Sequence, residues 1–244
     1  MKMKTLLSLL FALFFIASCN NLTNIAMTSA DFTGGSIADP TQEPTPEPTT
    51  PPVIGPNFDD MADCDNQSNW GGYWYTYNDH DSPNNGDSAI WPTSENMMAG
   101  AEFVMSSPGS GGAGDCAARL TGNVTTTYQY GFIGMGVATG AGNNDLTVYN
   151  GISITVKGDG KTYSIKFKAS SAINTGFNDY KFNFLSSTDW NTIGIPFTSL
   201  TQELGWGTVV VRDTVLADVT DLQFQTVGQP HASIDIWVDN IIFF

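Results

Sequence analysis

Residues 152–168, with the sequence ISITVKGDGKTYSIKFK, decide the fold of this chain. Apolar and polar side chains alternate before and after the central Gly-Asp-Gly, and a period of two is typical of strands that bury one face. No amphipathic helix of useful length is evident. The pattern predicts an all-β fold, a two-sheet antiparallel sandwich of the jelly-roll type. Further strands are expected over 116–120, 124–130, 180–184, 222–225 and 234–238.

The first residues predict export. Lys2 and Lys4 precede the apolar run Leu6–Ile16, which is too short and wrongly flanked for a membrane-spanning helix. The Ile-Ala-Ser-Cys that follows resembles a bacterial lipoprotein cleavage box, with Cys19 as the lipidated first residue of the mature chain. A plain signal peptide followed by a free cysteine is the alternative. Residues 1–19 are therefore predicted to be a lipoprotein signal, and several acyl chains on Cys19 would make the anchoring stable.

A tether is predicted between the anchor and the folded part. Residues 20–57 are poor in large apolar side chains and contain PTQEPTPEPTTPP at 40–52. Such a stretch cannot bury enough apolar surface to fold and prefers an extended conformation. Residues 58–244 remain as one β-sandwich domain, long enough to bury a sizeable core. We expect an exported protein that is lipid-anchored in a bacterial membrane, at the outer membrane or cell surface.

The charge balance excludes one class of partner. The chain has 9 Lys and Arg against 24 Asp and Glu, a formal net charge of −15. Binding to a phosphate backbone needs clustered Lys and Arg, so nucleic acid is not expected as a partner. Besides Cys19 the chain has Cys64 and Cys116. An even pair in an exported chain can form a disulfide, although two cysteines that lie apart in space cannot.

Five aromatic rings fall within residues 70–77. They combine flat apolar faces with hydroxyls, next to amides and carboxylates. This is the chemistry needed to hold a sugar, whose ring faces are apolar and whose edges are polar. Strand alternation predicts Tyr73, Tyr75 and Tyr77 on one side and the residues between them on the other. Trp70 is expected in the core. The alternative for the tyrosines is that one side is core and the other is ordinary surface.

Three stretches, at 58–73, 190–197 and 237–241, resemble a known family in their order and spacing. They carry Phe-Asp-Asp followed by Asn-Trp-Gly-Gly-Tyr, then Trp-Asn-Thr-Ile-Gly-Ile-Pro-Phe, then Trp-Val-Asp-Asn-Ile. The domain thereby resembles a carbohydrate-binding module of family 11 and the wider galactose-binding-like superfamily. That superfamily includes the complex I intermediate-associated protein 30 domain, which Gly-Asp-Gly-Lys at 158–161 favours. The resemblance covers essentially all of 58–244. It implies a concave sheet face that binds linear β-glucans by stacking tyrosines on glucose units, and a sandwich stabilised by calcium.

The resemblance also implies positions for the site residues. Tyr73 matches a stacking tyrosine, and Phe132, in Gly-Phe-Ile-Gly, matches the tyrosine of a family Gly-Tyr-Trp-Gly. Trp206, in Leu-Gly-Trp, matches the tyrosine of a Leu-Asp-Tyr. Two of the three rings differ in type from the family, which leaves the identity of the glycan open. Asp60 and Asp239, near the first and last strands, are the expected ligands of a structural calcium.

Three further residues complete the candidate site. Tyr75 belongs with Tyr73, and Lys166 and Gln225 are predicted on the solvent side of their strands, where they can hydrogen-bond sugar hydroxyls. A merely solvated sheet face is the alternative for Lys166 and Gln225. Nothing marks a catalytic carboxylate pair, a nucleophile elbow or a zinc site. We expect a protein that binds a β-glucan-like polysaccharide at the bacterial surface and is not an enzyme. A structural or assembly-factor lipoprotein that binds protein with the same fold is the alternative, and a glycoside-active enzyme is a third, less favoured one.

Overall fold

The computed structural model describes residues 57–81, 83–93, 102–140, 145–174 and 176–244. The predicted signal with Cys19, and all of the predicted tether except its last residue, lie outside these residues. The strands, in chain order, are β1 (Asn57–Asp59), β2 (Trp74–Asn78), β3 (Ile90–Trp91), β4 (Ala118–Val124), β5 (Ile133–Ala138), β6 (Gly151–Gly158), β7 (Thr162–Ala169), β8 (Tyr180–Leu185), β9 (Asn191–Pro196), β10 (Val219–Thr226) and β11 (His231–Phe243). A 3-10 turn (Phe197–Ser199) and a short helix α1 (Arg212–Leu216) separate β9 from β10.

The strands form two antiparallel sheets. The five-stranded sheet has the order β2-β5-β10-β7-β8, and the six-stranded sheet has the order β3-β4-β11-β6-β9, with β1 also paired to β11. The domain is thus the all-β jelly-roll sandwich that the sequence predicts. No helix in the described part of the chain is long and apolar enough to cross a membrane.

The alternation of apolar and polar residues over 152–168 decides which faces of two strands, β6 and β7, enter the core. Ile152, Ile154 and Val156 of β6 are at most 1% exposed, and Tyr163 and Ile165 of β7 are fully buried. These two strands lie in different sheets, so their apolar faces meet between the sheets. Burying a side chain of this size contributes about 1.5–3 kcal/mol. The polar residues between them are therefore directed to the two outer faces.

The strand predicted over 124–130 is wrong. β4 ends at Val124, and a loop follows in which the N–H of Gly131 donates to the carbonyl of Tyr128 (3.0 Å) and to Oε1 of Gln229 (2.5 Å). The side-chain amide of Gln229 in turn donates to the carbonyl of Gln129 (2.5 Å). These bonds satisfy the backbone without a partner strand, so the alternation of Thr and Tyr residues here does not produce a ladder.

A buried carboxylate fixes the start of β2. The indole N–H of Trp74 donates to Oδ2 of Asp59 (2.7 Å), and the N–H of Met61 donates to Oδ1 (3.0 Å). Asp59 is only 2% exposed, and this burial raises its pKa to about 6. Trp70 packs against the core, as predicted, with its ring centroid 5.0 Å from that of Phe58. β2 is therefore anchored to β1, and its outward side chains have a defined position.

Cys64 and Cys116 form a disulfide, with their Cα atoms 5.3 Å apart. The bond connects the segment that precedes β2 to the segment that precedes β4. The crosslink therefore joins two loop segments that are 52 positions apart in sequence.

Candidate functional site

The outer face of the five-stranded sheet carries the tyrosines of the aromatic run. Along β2 the burial alternates, so that Trp74 and Thr76 are buried while Tyr75 and Tyr77 are partly exposed. The alternation predicted for this strand is therefore present. Tyr75 stands opposite Gly136, and Tyr77 opposite Gly134, on the neighbouring β5.

The two glycines of β5 allow the tyrosine rings to lie close to the sheet. A Cβ added at Gly134 would stand 2.3 Å from Cζ of Tyr77, and one at Gly136 would stand 2.6 Å from Cζ of Tyr75. Both distances are too short for a real carbon contact, so the rings occupy the space that side chains of β5 would take. Each ring therefore rests one face on the backbone of β5, which leaves its other face toward the outside.

The tyrosine hydroxyls reach across β5 to β10. Tyr75 donates to Oδ1 of Asp221 (2.8 Å) and accepts from Nε2 of Gln223 (2.9 Å). Tyr77 donates to Oε1 of Gln225 (3.3 Å). Burial raises the pKa of both tyrosines well above the ordinary value of 10.0, so both phenols stay neutral and keep their protons. The rings are thus held at both ends in one orientation.

Phe132 extends the line of rings. Its centroid lies 6.0 Å from that of Tyr77, which lies 6.1 Å from that of Tyr75. Both spacings are within the range of interacting aromatic pairs. These three residues are called the aromatic row. It runs along one side of the outer face, next to the polar side chains of β10.

Lys166 and Gln225 lie together beside the aromatic row. The ammonium of Lys166 is 3.0 Å from Oδ2 of Asp179 and 3.4 Å from Oε1 of Gln225. Both predicted residues are therefore on the outer face, and they touch each other. Because Lys166 is paired with Asp179, it contributes a fixed hydrogen-bond donor and no net positive charge.

Trp206 meets an aromatic residue that the sequence had not singled out. Its ring centroid is 6.0 Å from that of Tyr130, in an edge-to-face arrangement, and the rings are 47% and 57% exposed. Trp206 is held near the start of β8, where the amide of Asn178 donates to its carbonyl (2.6 Å). Tyr130 lies shortly before the start of β5. Because β5 and β8 run in opposite directions, the starts of these two strands lie at opposite ends of the sheet. The two loops therefore reach toward each other across the outer face.

Tyr73 lies on the same side of its chain as Tyr75, but apart from the other rings. It is 41% exposed, and its carbonyl accepts from the N–H of Ala138 (3.2 Å). No ring contact joins it to another aromatic residue among those the structure describes. At about 3.3 Å per residue it stands roughly 7 Å along the chain from Tyr75, the nearest ring of the row. Tyr73 is therefore an exposed ring next to the end of the row that makes no ring contact with it.

Asp60 and Asp239, the residues expected to hold calcium, have hydrogen-bond partners within the chain. Within the described ranges, no three His, Cys, Asp or Glu side chains form a group that could hold an ion. Asp239 is fully buried, and its oxygens accept from the N–H groups of Ser110 and Asn240 (both 2.7 Å). Asp60 accepts from Asn57 (3.0 Å) and from the N–H of Ala62 (3.3 Å). Burial raises the pKa of the Asp239 carboxyl above its ordinary value.

Four residues of this face were not in the predicted site: Tyr77, Tyr130, Asp221 and Gln223. Gln223 and Asp221 precede Gln225 by two and four positions, so strand alternation places all three on the same face and could have identified them. Tyr130 precedes Phe132 by two positions. The contact between Tyr130 and Trp206 has no signal in the sequence, because it depends on how two distant loops meet.

The fold and this face define a jelly-roll module with an aromatic and polar surface on one sheet. The family model for complex I intermediate-associated protein 30 matches residues 96–236, more than half of the chain. The chain belongs to this family. The comparison with curated proteins returned no match.

Several solved structures resemble the chain at low sequence identity. One is the family 11 carbohydrate-binding module of a cellulosomal cellulase of Clostridium thermocellum, with 16% identity, 70% of this chain and 86% of that chain covered, and a TM-score of 0.45. The Clostridium thermocellum family 11 module in complex with a beta-1,3-1,4-mixed-linked tetrasaccharide shares 17% identity, with coverages of 70% and 88% and a TM-score of 0.44. A family 30 module of another cellulosomal cellulase of this organism shares 21% identity, with coverages of 69% and 96% and a TM-score of 0.46.

Proposed function

We propose that this module binds linear polysaccharide chains of the β-glucan type along the outer face of its five-stranded sheet and does not cleave them. The observation that carries the proposal is the aromatic row. Three rings about 6 Å apart lie along one side of the face, and amide and carboxylate groups lie beside them. A sugar has apolar ring faces and polar edges, so this combination matches both parts of it.

The polar side of the face keeps groups that can bind hydroxyls. Gln225 uses its Oε1 atom for Tyr77 and Lys166, and Gln223 uses its Nε2 atom for Tyr75. Within the described part of the chain, the opposite amide atom of each glutamine has no protein hydrogen bond. A ligand can therefore accept a hydrogen bond from Nε2 of Gln225 and donate one to Oε1 of Gln223.

We expect modest affinity from a few stacked rings and solvent-exposed hydrogen bonds. Dissociation constants of roughly micromolar to millimolar correspond to about −8 to −4 kcal/mol. Several copies anchored in one membrane would hold a long glycan more strongly by avidity. The anchor in this proposal is Cys19. Changing Cys19→Ser should release the protein from the membrane fraction and abolish incorporation of labelled fatty acid; persistence of both would refute the anchor.

The test of the site is binding to a panel of soluble and insoluble glycans by affinity electrophoresis and calorimetry, with mixed-linkage β-glucan included. Phe132→Ala, Trp206→Ala and Tyr73→Ala are compared with wild type. Trp91→Ala is the matched control, because Trp91 is 45% exposed, like Trp206, but lies on the six-stranded sheet. We expect about tenfold or greater loss for Phe132→Ala and Trp206→Ala, and wild-type binding for the control.

Two results would overturn this assignment. Unchanged affinity in all three site variants would show that the glycan binds elsewhere. Absence of binding to every glycan in the panel would refute the function itself. The non-enzymatic part is tested separately, since release of reducing ends from a soluble β-glucan by the purified protein would establish catalysis.

A second candidate function, binding to a protein partner, is favoured by one observation. Four apolar side chains beside the site are largely exposed: Phe177 (80%), Leu204 (90%), Val209 (65%) and Val211 (70%). Exposed apolar side chains that lie close together are typical of interaction surfaces. The test is capture of partner proteins from the native membrane. Binding of a partner that persists in excess glycan, but is lost in the Leu204→Asp variant, would support this function over the first.

A further inference from the structure

The outer face of the six-stranded sheet carries a row of alternating cations and tryptophans. Trp237 of β11 stands opposite Arg119 of β4 on one side and opposite Lys157 of β6 on the other. Trp190, directly before β9, continues the same register beyond Lys157, because Asn191 pairs with Val156. These four residues are called the Trp237 row. They lie on the sheet opposite the one that carries the aromatic row.

Both cations of the Trp237 row contact an indole face. The guanidinium carbon of Arg119 lies 4.5 Å from the centroid of Trp237, and the ammonium of Lys157 lies 4.2 Å from it. The same ammonium is 4.7 Å from the centroid of Trp190, whose ring stands edge-to-face with Trp237 at 6.3 Å. Such contacts hold a cation by the negative potential of the ring face. Lys157 is thus fixed between two tryptophans.

Lys157 differs from the other Lys and Arg residues that the structure describes. Seven Lys and Arg residues lie in the described ranges, and six of them are ion-paired with a carboxylate; Lys157 has no such pair there. Arg119 is held by Asp235 through two bonds (2.9 and 2.8 Å). Asp159 is neutralised by Lys161 (2.5 Å). The carboxylates of the cleft wall are therefore paired with other cations, and Lys157 has no carboxylate within ion-pair distance.

An open cleft lies beside three residues of the Trp237 row, Arg119, Lys157 and Trp237. Its volume is about 420 Å³, and its walls include Lys157, Trp237, Asp159, Thr188 and Asp235. This volume falls within the roughly 300–1,000 Å³ of small-molecule sites. The carboxylate of Asp159 already accepts four hydrogen bonds within the chain. Asp235 accepts one bond from Arg119 at each oxygen, so each of its oxygens can accept a further bond from a hydroxyl.

We infer that this cleft is a second saccharide site, specific for an acidic sugar unit whose carboxylate pairs with Lys157. A sugar unit with one carboxylate offers a single negative charge to the ammonium of Lys157, which the faces of Trp237 and Trp190 hold in place. Its hydroxyls can bind Asp235 and Thr188, which lie in the wall of the cleft. The net negative charge of the chain does not prevent this at physiological salt, because charges more than about 8 Å away are largely screened. The site is independent of the β-glucan proposal, since the two surfaces lie on opposite sheets.

The test is calorimetric titration with tetrasaccharides of galacturonate, glucuronate and alternating mannuronate and guluronate. Each is compared with its methyl ester, which has the same ring but no charge. We expect binding of at least one acid and no binding of its ester. Lys157→Gln should weaken binding of the acid about tenfold or more, because hydrogen bonds to charged groups are the strong ones. Lys157→Arg should keep most of the affinity, and Lys168→Gln, on the other sheet, should keep all of it.

The outcomes separate this proposal from the first. Loss of acid binding in Lys157→Gln, with unchanged thermal unfolding and unchanged β-glucan binding, would support a distinct site. Equal binding of acid and ester would refute the role of the ammonium. Absence of binding to all three acids would refute the site and leave the β-glucan proposal unaffected.

Discussion

The ring of Tyr77 lies over Gly134 of the neighbouring strand, so closely that a Cβ at that glycine would stand 2.3 Å from Cζ of the ring. The same relationship joins Tyr75 to Gly136. The aromatic row therefore depends on two residues that have no side chain. The position of each ring is set partly by β5 and partly by its hydroxyl contact on β10.

Gly134→Ala should displace the ring of Tyr77 and weaken glycan binding. The added methyl group cannot share the space of Cζ, so the ring must turn outward and lose its bond to Gln225. Overpacking of this kind costs about 1–3 kcal/mol. We expect a lower free energy of unfolding in urea and reduced affinity for the best glycan of the panel. Gly194→Ala on β9 is the matched control, because a Cβ there meets nothing within 4 Å. Unchanged affinity in Gly134→Ala would mean that Tyr77 does not contact the ligand.

Asp59 should make the domain more stable in mild acid than at neutral pH. Burial raises its pKa to about 6 from the ordinary 3.8. Because the folded-state pKa is the higher one, the folded state favours the protonated carboxyl. This contribution is fully present below about pH 4 and is lost as the pH rises through 6. The difference amounts to about 3 kcal/mol. Urea unfolding at pH 4, 5, 6 and 7 measures it.

Asp59→Asn should flatten this pH dependence, since an amide does not titrate. The variant also loses about 1 kcal/mol at low pH, because the amide NH2 takes the place of one carboxyl oxygen and leaves either Trp74 or Met61 without its acceptor. Asp60→Asn is the control and should keep the pH dependence of the wild type. If Asp59→Asn retains the full fall in stability between pH 4 and 7, another group is responsible.

Removing the disulfide should destabilise the domain without changing its fold. Cys64→Ser combined with Cys116→Ser opens a loop of 52 positions. In the chain-entropy model such a loop contributes about 4 kcal/mol, which is an upper figure. We expect a lower midpoint in urea, a circular dichroism spectrum of the same shape, and glycan binding that persists below the new midpoint. An unchanged midpoint would show that the unfolded chain is not restricted by this crosslink.

Chelation of calcium should leave the unfolding temperature unchanged. The oxygens of Asp239 are already occupied by N–H donors, and Asp60 has its own partners in Asn57 and Ala62. Differential scanning fluorimetry with EDTA, with and without excess calcium, makes the measurement. A fall in the unfolding temperature with EDTA that calcium reverses, and that does not occur in Asp239→Asn, would establish the calcium site expected from the family resemblance.

Local sequence patterns predicted those features of the fold that depend on a single strand, such as which of its faces is buried. The alternation in 152–168 correctly gives the buried faces of β6 and β7, and the alternation after Trp70 gives the outward side of Tyr75 and Tyr77. The same reasoning fails at 124–130, where bonds from Gly131 and Gln229 close a loop. Period-two alternation requires only that a segment be extended, and it does not show whether a partner strand is present.

The sequence alone determined the fold class, the inward and outward faces of most strands, and the residue types available for a sugar. The tertiary structure decided which of them meet. Tyr130 and Trp206 touch because two loops from opposite ends of the sheet reach across its face, and Lys157 lies between Trp237 and Trp190 because β6 pairs with both β11 and β9. Strand order and register are properties of the whole chain, since they depend on which distant segments bury their apolar faces together. For that reason the sequence pattern predicted which residues lie on the outer faces, and only the pairing of distant strands decided which of those residues lie next to each other.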